Sequence, residues 1–216
     1  MSATFTDGSA QTQARPSAGG ALLRPDLARI AQWIPNGSRV LDLGCGDGTL
    51  LAHLRDAQQA STVGVEIDDE RVIACVRRGV NVIQQNLEDG LALFEDGHFD
   101  TVVLSQTLQA MHNTERILAE MARVGREGIV SFPNFGHWTH SWSLLRGRMP
   151  VTGQMPYQWY DTPNIHLCTL KDFEDLAARL GLRIVARATF AGSREVRTLA
   201  GWRATLAVYR FASPRN

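Results

Sequence analysis

Apolar side chains recur along this chain with two different periods. Strand-length runs rich in Val, Ile and Leu fall at RVLDLG (39–44), TVGVEI (62–67), VNVIQQ (80–85), DTVVLSQ (100–106), EGIVSFP (127–133), LRIVARATF (182–190) and TLAVYRF (205–211), each short enough to cross one sheet. Helical spacing appears at Leu27, Ile30, Ala31 and Ile34, with Pro25 in the first turn and Pro35-Asn36-Gly37 as the stop. Further helical stretches lie around Leu50 to Asp56, Asp69 to Arg78 and Glu115 to Val124. Strands alternating with helices predict an α/β fold, a mostly parallel sheet with helices on both faces. No helical stretch separates the last two runs, so they are expected to pair as an antiparallel hairpin.

The pattern breaks at both ends of this scheme. Residues 1–23 are dominated by Ser, Thr, Gly, Gln and Ala and are expected to be a disordered tail, leaving 24–216 as a single domain. Residues 134–168 do not alternate; they are rich in aromatics and Pro and form an insertion after the fifth strand, a length that calls for a functional explanation.

Composition narrows the function. Lys+Arg 22 against Asp+Glu 22 gives no net charge, so neither nucleic acid nor an anionic membrane is an expected partner. The N-terminus has no apolar signal core and no apolar run reaches the ~20 residues of a membrane helix. Cys45, Cys75 and Cys168 form no Cys-x-x-Cys pair, which suits a reducing, cytoplasmic location and offers no thiolate zinc site.

The sharpest local signal is Val40-Leu41-Asp42-Leu43-Gly44-Cys45-Gly46-Asp47-Gly48, a strand running into three alternate glycines before a helix. Such glycines permit a sharp turn and close approach of backbone to ligand. Asp42 and Asp47 bracket the turn, and two unit charges about 6 Å apart at an effective dielectric of about 20 repel by roughly 3 kcal/mol, which disfavours a phosphate. A ligand with positive charge suits the site, and S-adenosylmethionine carries a sulfonium and an ammonium. Glu66, 20 or so residues onward at the end of the second strand, has the position of an acid that accepts both ribose hydroxyls. Asn86 and Leu87 follow the third strand, where an amide oxygen and a backbone N–H suit adenine.

The order and spacing of these pieces resemble the class I S-adenosylmethionine-dependent methyltransferases. The resemblance implies a Rossmann-like seven-stranded sheet of order 3-2-1-4-5-7-6. It also implies a set of binding residues: Asp42, Gly44, Cys45, Gly46 and Gly48 at the methionine end, Glu66 and Ile67 at ribose, Asn86 and Leu87 at adenine, and Ser105 near the donor's reactive end. Asn86 stands where an acid is commoner in the family.

Acceptor chemistry is less legible. Ser105-Gln106-Thr107-Leu108-Gln109 contains neither an Asn-Pro-Pro-Tyr element nor a Pro-Cys nucleophile, so nucleic-acid bases are poor acceptor candidates. Three of the five tryptophans and two of the three tyrosines fall between Phe132 and Cys168. That density fits a lid over a pocket, a partner-binding surface, or aromatic plugs pinning a loop to the core. His137 and His166 are candidate general bases if the insertion folds over the strand ends; with His140 they complete no recognisable metal spacing. Thr169 to Asp172 reads as a helix cap.

Together with the glycine motif, Val-Ser-Phe-Pro-Asn-Phe-Gly-His-Trp (130–138) and Pro-Tyr-Gln-Trp-Tyr-Asp-Thr-Pro-Asn-Ile-His-Leu-Cys-Thr (156–169) closely resemble the bacterial MetW family of methionine biosynthesis proteins. This narrower resemblance implies an accessory or regulatory subunit that acts with the homoserine O-acyltransferase MetX and binds S-adenosylmethionine or S-adenosylhomocysteine. The alternative is a methyltransferase acting on a small metabolite.

Overall fold

The computed structural model describes residues 23–153 and 155–213. The expected tail lies outside these residues except for Leu23, which packs against one of the two core clusters.

Five parallel strands form one half of the sheet: β1 (Arg39–Leu43), β2 (Ser61–Glu66), β3 (Asn81–Gln84), β4 (Phe99–Ser105) and β5 (Gly125–Pro133). Their connections carry α2 (Thr49–Gln58), α3 (Asp69–Arg77) and α4 (Thr114–Val124), while α1 (Pro25–Trp33) precedes β1. The inner strands are buried on both faces, which is why they read as nearly continuous apolar runs. Successive residues still separate by face: Leu41, Val102 and Val130 join one cluster with α4, and Val40, Val103 and Ile129 join the other with α1 and α2.

The remaining strands are β6 (Arg183–Ala191), β7 (Arg194–Glu195) and β8 (Leu206–Ala212), and the full order is β3-β2-β1-β4-β5-β8-β6-β7. The seven anticipated strands keep their anticipated neighbours, with β8 antiparallel to both β5 and β6. The sheet nevertheless has eight strands. Gly192, at φ +60°, turns the chain so that Arg194 and Glu195 pair back onto Ala191 and Phe190. The link to β8 is also not bare, since it holds the one-turn helix α7 (Ala200–Arg203).

The insertion is more ordered than its pattern suggests, containing α5 (Trp138–Leu145). Its ends meet: Asn134 and Cys168 form a parallel bridge, and the Phe135 N–H donates to the Cys168 carbonyl. Asn134 is fully buried, its amide donating to the carbonyls of Gly201 and Ala204 and accepting from the Gly136 N–H. After the bridge Thr169 and Asp172 form a reciprocal capping box that starts α6 (Leu170–Arg179). Phe132, Phe173 and Tyr209 cluster beneath it, ring centroids 4.7–5.8 Å apart.

Candidate functional site

The strand order reverses between β1 and its neighbours β2 and β4, and in open α/β sheets the crevice at such a point receives ligands. Two adjoining cavities occupy it, about 400 and 670 Å³, with Gly44, Arg71, Gln106 and Thr107 lining both. These volumes lie in the range of small-molecule sites. Glu66, Ile67, Asn86 and Leu87 line the smaller; Asp42, Cys45, Gly46 and Ser105 line the larger.

The glycine loop is shaped by left-handed backbone at Gly44 (φ +70°), Gly46 (φ +59°) and Gly48 (φ +75°). A side chain on Gly46 would enter open space, whereas one on Gly48 would press on the Cys75 sulfur at 3.0 Å and on Val80. Gly46 therefore keeps room beside the cavity, and Gly48 instead serves packing and the N-cap of α2. Cys45 and Cys75 are buried thiols 3.8 Å apart; burial holds both thiol pKa values above the ordinary range, so they are packing groups.

Two carboxylates lie beneath the loop. Glu66, 4% exposed, accepts from the Gly46 N–H (2.8 Å) through one oxygen and from the Ile67 (2.9 Å) and Asp68 (3.1 Å) N–H groups through the other. It is thus a strut between the loop and the end of β2, with Arg71 at 3.9 Å. Asp42, 3% exposed, is different: its Oδ1 is buried without a hydrogen-bond partner. Burial first, and the neighbouring Glu66 second, push its pKa up to about 8, while Arg24 pulls it back.

Several of the expected residues have partners within the chain. Asp47 does not offer a free charge to the site: Thr49 donates to it from both backbone and side chain, and Arg78 pairs with it at 2.7 Å. Asn86 lines the smaller cavity, but its amide oxygen receives the Glu88 N–H (3.0 Å) and starts the turn Leu87–Asp89. The neighbouring Gln85 has a buried Oε1 with no partner and lines the same cavity. His137 caps α5, accepting from the Thr139 N–H, and lines neither cavity. His166 lines neither as well; its Nε2 lies 3.2 Å from the His112 carbonyl, and it borders a separate cavity.

Other lining residues carried no clear signal in the chain. Arg24 and Leu27 come from the start of α1, His112 from beyond β4 and Tyr157 from the insertion. Gln106, at φ +52°, donates to Asp26, a carboxylate 1% exposed that also accepts from Arg24. Pro25 marks a helix start, but nothing local says that this helix will dock against the loop after β4.

Of the insertion's aromatics, Tyr157 reaches the larger cavity. The others do not plug the core. Trp159 and Tyr160 are each 71% exposed and rest on one another, and Trp138 and Trp142 on α5 are about half exposed. Trp138 also meets Trp202 of α7 at 6.4 Å.

Residues 24–211 match the family described as "Methionine biosynthesis protein MetW". The chain belongs to the MetW family. A curated relative, the bifunctional methionine biosynthesis protein MetXA/MetW of Rhodopirellula baltica, is 41% identical over 172 residues, which is 75% of this chain and 28% of that protein. The chain thus spans under a third of that relative's length. Among solved structures, an S-adenosylmethionine dependent methyltransferase from Listeria monocytogenes aligns with TM-score 0.67 at 15% identity, covering 88% of this chain and 96% of that one. The magnesium protoporphyrin IX methyltransferase of Synechocystis, solved with bound SAH, aligns at 0.61 and 18% identity, over 86% and 81% of the two chains. At these identities the likeness establishes for this MetW-family chain the class I methyltransferase-like fold. Among the described residues no helix is long and apolar enough to cross a membrane.

Proposed function

We propose that the chain binds S-adenosylmethionine or S-adenosylhomocysteine across the paired cavities and acts in methionine biosynthesis, in the cytoplasm, as a subunit working with the homoserine O-acyltransferase MetX. The observation that carries the ligand assignment is the unpartnered buried oxygen of Asp42 below a loop that keeps open space at Gly46. An ammonium or sulfonium beside Asp42 supplies the missing donor or charge. Arg24 lines the larger cavity and, besides the donor given to Asp26, has N–H groups left for the methionine carboxylate, and Glu66 has lone-pair capacity left on Oε2 for a ribose hydroxyl. Ile67, Leu87 and Met111 supply apolar cover for adenine. The unpartnered Gln85 oxygen, rather than that of Asn86, suits the exocyclic amine.

The partnership is supported by the relative whose name joins MetXA and MetW in one polypeptide, and by the exposed Trp and Tyr side chains of the insertion, residue types that concentrate binding energy at interfaces. Neither histidine proposed as a general base lines the paired cavities, which favours an accessory role over methyl transfer to a metabolite. Calorimetric titration of the purified chain with S-adenosylhomocysteine tests the ligand. Co-purification with the acyltransferase, followed by acyl-transfer assays across a titration of S-adenosylmethionine, tests the partnership. Robust methyl transfer to a defined metabolite, undiminished without the acyltransferase, would replace this function with the enzymatic one.

A further inference from the structure

We infer that a third cavity, between the start of α4, α6 and the carboxyl ends of β4 and β5, binds a short aliphatic carboxylate. Its volume is about 230 Å³, and it shares no lining residue with the paired cavities. For scale, an apolar cavity of about 150 Å³ accepts benzene. A branched chain of five or six carbons therefore fits.

The walls are apolar and preformed. Leu108, Phe132 and Phe173 are buried, Phe132 and Phe173 belong to the aromatic cluster with Tyr209, and Leu176 closes one side. Burial pushes the Cys168 thiol up to about 12, so that wall is neutral at physiological pH. The rim is also built rather than left over. The Ile165 and His166 N–H groups both donate to the Gln109 carbonyl, and the His166 ring bonds to the His112 carbonyl, so the strap before α6 is held against the turn after β4.

Charge at the mouth selects the ligand's polar end. Asp172 is committed to the Thr169 backbone and hydroxyl, which keep its pKa below the usual range. Arg179 is paired with Glu115 at 3.3 Å, and both side chains are largely exposed. Such a pair is weak, leaving the guanidinium free to engage a carboxylate whose chain lies inside.

The probes are 4-methylpentanoate and its neutral isostere 4-methylpentanamide, titrated into the intact chain and followed by calorimetry and by shifts in NMR spectra. Both are expected to saturate in the millimolar range, the carboxylate about two- to fivefold tighter, as an exposed ion pair allows. Arg179→Gln, a surface change, should abolish that preference and leave amide affinity unchanged. Leu176→Phe, which fills the cavity, should weaken both probes about tenfold, with a thermal melt confirming a folded chain. Three results would each overturn the assignment: no saturation by either probe up to about 20 mM, a carboxylate preference that survives Arg179→Gln, or binding undiminished in a folded Leu176→Phe variant. Repeating the titrations in Glu66→Ala separates this site from the adenosyl one, because the probes should bind there unchanged.

Discussion

The glycine-loop crevice and the aromatic insertion sit on the same end of the sheet and are built in opposite ways. In the crevice, charged groups are buried and backbone N–H groups converge on Glu66. In the insertion, Asn134 and His140 are the buried polar anchors, and the tryptophans are exposed. A polar group removed from water without a partner costs free energy, so the crevice holds its architecture through internal bonds, with the Asp42 oxygen left unpartnered. An exposed indole costs little by itself and becomes favourable when a partner covers it. Substitutions should therefore be felt as ligand affinity and stability in the first region and as association in the second.

The largest effect is expected from Gly46→Val. A β-branched residue at φ +59° is strained, and its side chain would project into the open space by the loop. S-adenosylhomocysteine binding should vanish in calorimetry while the melt shows a chain still folded. Gly48→Val makes the matched control, because it presses on Cys75 and Val80 and should lower the melting temperature more. Next is Glu66→Ala, which orphans the N–H groups that the carboxylate satisfies. Urea denaturation should register a loss of about 1–3 kcal/mol, together with weaker adenosyl binding; a change in binding alone would show that the strut has no structural weight.

Asp42 gives a pH signature. Its folded pKa of about 8 lies above the ordinary 3.8, so between those values the native chain holds a proton that the unfolded chain has released. Stability from this group is greatest below about 4 and falls as pH rises through about 8. Asp42→Asn should flatten that slope in melts recorded across the window. Binding of a cationic ligand near pH 7 should release up to about one proton per site, measurable by calorimetry in buffers of different ionisation enthalpy. The smallest effect on the fold is expected from Trp159→Ala. At 71% exposure the change should alter stability by no more than about 0.5 kcal/mol, yet weaken co-purification with the acyltransferase. A large drop in stability would show that the indole packs rather than docks.

What the chain discloses follows the range of the forces involved. The strands, their neighbours and the glycine loop are written in short-range periodicity and in glycines that the loop's left-handed backbone requires, so they were legible. That Asn86 also bonds its own backbone two residues on is a local competition that Asn often enters, and it does not show in the strand pattern. Arg24, Asp26 and Tyr157 reach the crevice through tertiary docking, which local pattern does not encode. The two-residue β7 and the single turn of α7 are too short to leave a period. Helix α5 was hidden because its exposed Trp and Leu positions blur the contrast between faces.

The placement of β8 bears on how the molecule assembles. Among the described residues the last strand in chain order is not at the margin of the sheet but between β5 and β6, bonded to both along residues 206–212. Without β8, β5 and β6 would each present an open edge, because in the native arrangement they do not pair with each other. Val208, Tyr209 and Phe211 enter both core clusters at once. The pairing of β8 with β6 is between near neighbours in the chain, whereas its pairing with β5 spans from residues 127–133 to 206–212, the kind of distant contact that closes slowly; exposed strand edges invite pairing with other chains. Continuity of the sheet from its parallel half to β6 therefore rests on this one strand, paired on both sides.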